Sequence, residues 1–192
     1  MNKAVFLDRD GVINDPVLNP ETGEYESPHS PGDFRMYEWT LESLKKLRKA
    51  GFYLFLVSNQ PSYAKGKTSL ENIKAIHEIM NKELESNGVY FKEFYYCYHH
   101  PDGIIKDLSF KCECRKPQPF FLLKAQRDFD IDMDSSWMVG DRDTDIICGQ
   151  SAGVKTILVK DRYSDKNQGK SSPDFFSENL YEAVKIITGE KR

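Results

Sequence analysis

No apolar run in this 192-residue chain is longer than the six residues Phe52–Val57. A helix that crosses a bilayer needs ~20. An apolar leader segment is also lacking near the first residues, where Asp8, Arg9 and Asp10 stand instead. The expectation is therefore a cytoplasmic protein with no membrane partner. Basic charge is not in excess: the net charge is −3, and no basic stripe offers itself to nucleic acid. Internal repeats are absent. Cysteines number four, and a chain that is not secreted is a poor candidate for disulfides. What remains is an ordinary soluble composition, 30% charged and 39% hydrophobic, long enough for one well-filled domain over 1–192 and hardly for two.

The chain is organised around its first strand. Ala4-Val5-Phe6-Leu7 is a short apolar run that leads into Asp8-Arg9-Asp10-Gly11. A buried strand that carries two acids to its carboxyl end places them where open α/β sheets bind ligands. Carboxylates that close repel unless a cation lies between them, and a hard divalent ion such as Mg²⁺ suits them.

The same design recurs along the chain. Phe52–Val57 reads as a strand that ends in Ser58-Asn59-Gln60, an ordinary turn taken alone, or a phosphate clamp made of a hydroxyl with adjacent backbone N–H groups. Phe91–Cys97 reads as a third strand and Trp137–Val139 as a fourth, the latter leading into Gly140-Asp141-Arg142-Asp143-Thr144-Asp145. Thr156–Val159 reads as a fifth. Helical spacing marks Thr40–Ala50, a segment after a Thr68–Glu71 capping box that stops at Gly88, one from near Pro119 to Phe129, one over Ile146–Ala152, and a last one capped by Ser177. His77 reads as a packed or surface residue beside its helix stripe, and Cys148 as a small packed side chain. Strands alternating with helices predict an α/β fold with a mostly parallel sheet. Val12–Asp33 is an irregular excursion whose Tyr25, His29 and Phe34 suit either a flap over a polar ligand or a plain surface loop. Pro61–Thr68 is a second loop there, and Asp161–Pro173 a third, expected to be mobile.

Cys97-x-His99, twelve residues, then Cys112-x-Cys114 supplies three thiolates and an imidazole. A closed Cys₃His set is the pattern of structural Zn²⁺, here stapling the loop 97–114. His100 is a possible substitute for His99.

Parallel strands would gather Asp8/Asp10, Ser58/Asn59, Arg115/Lys116 and Asp141/Asp145 at one sheet edge, an inventory suited to phosphoryl transfer. At these positions the chain resembles the haloacid dehalogenase superfamily of phosphatases. Asp8-Arg9-Asp10-Gly11-Val12-Ile13-Asn14 is similar to its first motif, Ser58 to its second, Lys116 to its third, and Gly140-Asp141 with Asp145 to its fourth. The resemblance implies a Rossmann-like fold, with Asp8 as nucleophile and Asp10 as general acid and base. It implies Mg²⁺ on Asp8, the main-chain carbonyl of Asp10, and Asp141, with Asp145 supporting that site. Ser58 and Lys116 would neutralise the transferring phosphoryl group.

The cysteine loop and Cys114-Arg115-Lys116-Pro117 resemble the branch that contains heptose bisphosphate and histidinol-phosphate phosphatases, which lacks a large cap domain. That branch usually continues its second motif as Asn-Gln-Ser-Gly, two residues, Arg-Gly. Here Asn59-Gln60-Pro61-Ser62-Tyr63-Ala64-Lys65-Gly66 puts Lys65 where the arginine would stand, a point charge in place of a bidentate fork. A bisphosphate would favour Lys65 and Arg115. The expectation is thus a monomeric sugar-phosphate phosphatase, acting on a heptose bisphosphate for surface-polysaccharide (lipopolysaccharide) precursors. Histidinol-phosphate phosphatase is the alternative among enzymes, and a zinc-stabilised binding module with an idle site the alternative outside them.

Overall fold

The computed structural model describes residues 1–20, 22–160 and 167–190. A central sheet is built from β1 (Ala4–Leu7), β4 (Tyr53–Asn59), β5 (Glu93–Cys97), β6 (Trp137–Gly140), β7 (Lys155–Val159) and β8 (Phe175–Ser177), while β2 (Val17–Leu18) and β3 (Tyr25–Glu26) form a separate small hairpin. The sheet order is β5-β4-β1-β6-β7-β8, and every pairing in it is parallel. The expected α/β architecture is therefore present.

Strand residues alternate between two apolar layers, as a period of two dictates. Val5 and Leu7 face α1 (Thr40–Lys49), α2 (Leu70–Ser86) and α5 (Leu180–Thr188), where Leu44, Leu47, Ile76, Met80 and Val184 pack. Ala4 and Phe6 face α3 (Phe120–Phe129) and α4 (Asp143–Ala152), against Leu122, Ala125 and Cys148. Both faces being covered explains why these strands read as continuous apolar runs. Each fully buried large side chain contributes about 1.5–3 kcal/mol, which fixes the register. A slip of one residue would send Asp8 to the opposite face of the sheet.

Parallel pairing brings the carboxyl ends of β1, β4, β5 and β6 to one edge. The chain leaves β1 for β4 on one side and later returns to β6 on the other, so the crevice lies beside β1, where the strand order reverses.

Several local expectations shift. The cap of α2 is Ser69, whose hydroxyl accepts from Asn72 N–H at 3.2 Å. Thr68 instead donates to the carbonyl of His29. α4 begins at Asp143, three residues early, because Asp145 accepts from Arg142 N–H at 3.0 Å and closes its first turn. Ser177 lies in β8, and Asn179 caps α5 by accepting from Glu182 N–H at 3.0 Å. Phe34 is buried in the core and does not belong to a flap. The predicted mobile loop lies outside the described residues at 161–166. Its remainder is fastened: Gln168 donates to the carbonyl of Asp141 at 2.7 Å, and Lys170 and Ser171 N–H donate to the Asp143 carboxylate at 3.0 and 2.9 Å.

Candidate active site and metal centres

Asp8 follows β1 directly, its N–H extending the ladder to Val139 O at 3.0 Å. The chain then turns so tightly that Ile13 and Asn14 N–H both donate to Arg9 O. Gly11 makes the turn possible with φ +82°, and a Cβ there would lie 2.7 Å from the Asp141 carboxyl. Gly140 has the same logic on β6: a Cβ would stand 2.2 Å from that of Asp145. These two glycines let two strand ends and a helix start approach until their carboxylates meet.

The carboxylates of Asp8, Asp141 and Asp145 are buried, with oxygens within 4.8 Å of one another. Lys116 enters this cluster from the turn before α3. Its Nζ donates to Val57 O at 2.7 Å and forms ion pairs with Asp8 Oδ1 at 2.9 Å and Asp145 Oδ1 at 2.6 Å. Burial works against the ammonium, but Asp145 and Asp8 raise its pKa. Burial pushes the Asp145 carboxyl up to about 6, with the Asp8 charge adding to it and Lys116 opposing. Asp8 and Asp145 thus share one buried ammonium, while Asp141 has Arg142 at 3.7 Å. All their donors are hard oxygens, so the set fits a hard divalent cation.

Asn59 has a different use from the one expected of it. Its Oδ1 accepts from Lys116 N–H and its Nδ2 donates to Lys116 O, both at 3.1 Å. The amide clamps the lysine's backbone. Ser58 is buried at the end of β4 and accepts from Gln60 Nε2 at 3.1 Å.

Asp10 stands in a cage. Oδ1 accepts from Arg9 Nε and Nη2 and from Asn14 Nδ2, each at 3.0 Å. Oδ2 accepts from Gln60 Nε2 and Ser27 Oγ, each at 2.7 Å, and from Arg9 Nη2 at 3.2 Å. Burial alone would raise its pKa, yet the Arg9 charge and the bonds from Ser27, Asn14 and Gln60 hold it below the ordinary range. Arg9 is 1% exposed. Sequence reasoning gave it no role of its own, and gave none to Gln60 or Ser27. Its place between two acids at the end of an apolar strand was the one available signal.

These groups open into a cavity of about 870 Å³. Beside Asp8 and Asp10 it is lined by Lys65, Lys67, Arg115 and Lys116, and by Glu24–Ser27 of the hairpin. Burial lowers the pKa of Lys65, and the nearby charges of Lys67 and Arg115 lower it further. The cations that sequence reasoning set apart therefore converge on one region.

The cysteine pairs also meet. Cys97 Sγ lies 3.5 Å from Cys112 Sγ, and Cys114 Sγ lies 3.4 Å from Cys112 Sγ and 3.4 Å from His99 Nδ1. These four ligand atoms lie within 4.8 Å of one another, a spacing that suits the corners of a small tetrahedron. His100 is turned away and accepts from Asp102 N–H at 3.1 Å. The loop leans on the one that carries Lys65, since Ile104 N–H donates to Ala64 O at 2.7 Å. His77 packs on Phe94 and Tyr96, with Nδ1 3.0 Å from Tyr96 Oη. Cys148 is buried, its thiol pushed up to about 12 by that burial.

Comparison with known proteins agrees with this fold. A HAD-hydrolase-like family model matches residues 113–183. D-glycero-beta-D-manno-heptose-1,7-bisphosphate 7-phosphatase of Yersinia pestis is 34% identical over 96% of this chain and 94% of its own. The alpha-specific counterpart from Photorhabdus laumondii is 33% identical over 96% of both chains. The D,D-heptose 1,7-bisphosphate phosphatase of B. bronchiseptica, solved with magnesium and phosphate, superposes with a TM-score of 0.80 at 26% identity, covering 98% of this chain and 99% of that one. These relatives favour the heptose bisphosphate reading over histidinol phosphate. With full-length identity above 30% and a matching fold, the chain belongs to the heptose-1,7-bisphosphate 7-phosphatase family of HAD-like hydrolases.

Proposed function

We propose that this chain is a Mg²⁺-dependent phosphatase that removes the 7-phosphate of a D-glycero-D-manno-heptose 1,7-bisphosphate through an aspartyl-phosphate intermediate. One observation carries the reading: a buried carboxylate–lysine cluster opens into the same cavity as Lys65 and Arg115. A reaction centre together with a second cationic region suits a substrate with two phosphates.

Asp8 is the nucleophile. Among the described residues, the hydrogen bond from Arg9 N–H at 2.7 Å and the ion pair with Lys116 at 2.9 Å both fall on Oδ1, which leaves Oδ2 to attack phosphorus. A phosphate dianion bound beside Asp10 opposes the charges that keep its carboxyl ionised and favours the protonated form. Asp10 then gives that proton to the departing sugar oxygen and later takes one from the water that hydrolyses the aspartyl phosphate. Lys116 and Ser58 hold the phosphoryl oxygens as charge shifts among them. Asp8, the main-chain carbonyl of Asp10, and Asp141 would hold Mg²⁺, with Asp145 bracing them. Bound there, the ion would shield the Asp8 carboxylate from the phosphate dianion it attacks. Lys65 and Arg115 grip the phosphate that stays on the sugar.

Cys97, His99, Cys112 and Cys114 would hold Zn²⁺ in a closed structural site. Arg115 and Lys116 follow Cys114 directly, so fixing that loop fixes two phosphate-binding cations.

The test is phosphate release with Mg²⁺ from heptose bisphosphates of both anomers, histidinol phosphate, other sugar phosphates and a 3′-phosphorylated oligonucleotide. Strong preference for a heptose bisphosphate is expected. Preference for any other ester overturns the substrate, and no release with metal bound overturns the enzyme.

A further inference from the structure

We propose that Ser27 is a positioning residue for the proton transfer made by Asp10, an assignment that rests on Asp10 being the general acid. Three of the residues that hold Asp10 belong to the sheet edge itself: Arg9 and Asn14 in the turn after β1, and Gln60 at the end of β4, all at most 1% exposed. They grip the carboxylate from within the protein. Ser27 is the fourth and comes from a different element, the segment that follows β3. It is half-buried, lines the cavity, and its hydroxyl donates to Asp10 Oδ2 at 2.7 Å.

The residues around Ser27 keep it there. Next to it Glu26 pairs with Lys67 at 2.5 Å and with His29 at 3.3 Å, and it accepts from Asn19 at 3.3 Å. Thr68 donates to the carbonyl of His29, and Pro28 is buried. The hairpin is thus tied to the 61–68 loop by charge and hydrogen bonds, and Ser27 is the side chain it delivers to Asp10. A carboxyl group aimed from one side only can pivot. Ser27 contacts the oxygen that Gln60 also holds, and so restricts that pivot from the cavity side.

The step that depends on this alignment is the first one. A bond forms between Asp8 and phosphorus, the bond from phosphorus to the sugar oxygen breaks, and the electron pair leaves with that oxygen, which takes the proton from Asp10. An alkoxide needs that proton, whereas nitrophenolate departs as the anion. Loss of alignment must therefore penalise a sugar phosphate far more than p-nitrophenyl phosphate. General acid catalysis contributes 10²–10⁴-fold, so partial misalignment should cost the sugar ester about tenfold to a hundredfold in kcat/KM.

Ser27→Thr and Ser27→Val have nearly the same shape and differ in the hydroxyl. They are compared with the unaltered protein for melting temperature and for kcat/KM on both esters, in Mg²⁺. Expected are three similar melting temperatures and a sugar-to-nitrophenyl ratio that is retained in the threonine variant and falls at least tenfold in the valine variant. Equal losses on the two esters in both variants, or no loss in the valine variant, would overturn the assignment. Asp10→Asn is the control. It is read in a single turnover, as formation of the aspartyl phosphate, because hydrolysis of that intermediate also uses Asp10 and is common to both esters. If formation slows equally for the two esters, Asp10 is not the leaving-group acid and the mechanism fails ahead of Ser27. If another aliphatic phosphate proves to be the substrate, the ratio is measured with that ester and the test stands.

Discussion

Replacing Lys116 with methionine keeps the reach of the side chain and removes the ammonium at the centre of the carboxylate cluster. The ammonium touches Asp145 at 2.6 Å, Val57 O at 2.7 Å and Asp8 at 2.9 Å. Removing one partner of a buried ion pair costs about 3–5 kcal/mol, because the other charge is left uncompensated. Asp145 has an escape, however. Burial and the Asp8 charge already push its carboxyl up to about 6 against the pull of Lys116. Without the lysine it shifts higher and takes a proton. The folded variant then holds a proton that the unfolded chain has lost, so its stability falls as pH rises between the unfolded and folded pKa values. The deficit against the unaltered protein should lie near 3 kcal/mol at about pH 5.5 and approach 5 kcal/mol at about pH 8. Urea melts in EDTA at the two pH values measure it. In Mg²⁺, kcat should fall about 10²–10³-fold, as for loss of one preorganised donor to developing charge. A deficit below about 1 kcal/mol at both pH values, with kcat within about tenfold of normal, would refute the role assigned to this lysine.

Three further outcomes follow from the same geometry. Mg²⁺ should raise Tm more at about pH 7.5 than at about pH 5, since protons on a carboxyl raised to about 6 compete with the ion; equal gains would place the ion elsewhere. Cys112→Ser, or zinc chelation of the unaltered protein, should lower Tm and open the 98–111 loop to proteolysis, and should raise KM through Arg115 and Lys116; an unchanged melt argues against a structural zinc. Lys65→Ala should raise KM for a heptose bisphosphate about tenfold or more while leaving that for a monophosphate near its starting value, since a hydrogen bond to a charged group is worth about 1.5–3 kcal/mol; parallel losses would place Lys65 outside the second phosphate site.

Much of this could be read in the sequence because the strands are buried on both faces. Runs such as Ala4–Leu7 and Tyr53–Val57 announce themselves by hydrophobicity, and the polar residues that interrupt them mark the strand ends where chemistry collects. The metal-competent groups were legible for the same local reason. Cys-x-His and Cys-x-Cys need only be brought together, and Asn59–Cys97 pairing between β4 and β5 starts the loop that does so. Elements of two or three residues, β2, β3 and β8, carry too little periodicity to be seen. Helix starts slipped where the competing candidates were both good caps, Thr68 against Ser69 and Ser177 against Asn179. Sequence offers no way to choose between them, because the Thr68 hydroxyl is taken up by the carbonyl of His29 and the Ser177 backbone by the pairing of β8 with β7.

The residues that were missed or given another role are those that depend on contacts between distant segments. Asn59 was grouped with Ser58 as a phosphate clamp, yet its amide closes on the main chain of Lys116, fifty-seven positions away. Gln60 reads as the tail of a turn and becomes the link between Ser58, Arg9 and Asp10. Asn59 was expected to face the ligand and Gln60 was given no role; each instead orients a neighbour, Lys116 or Asp10. Burial explains the division of labour. A carboxylate or ammonium sunk in the protein must have its remaining hydrogen-bonding capacity met, or the charge is too costly to keep. Amides, which donate and accept without charge of their own, meet that need beside Asp10 and Lys116. The amides, with Arg9 beside Asp10, hold these charges in place, which leaves Asp8, Asp10 and Lys116 for the proposed chemistry.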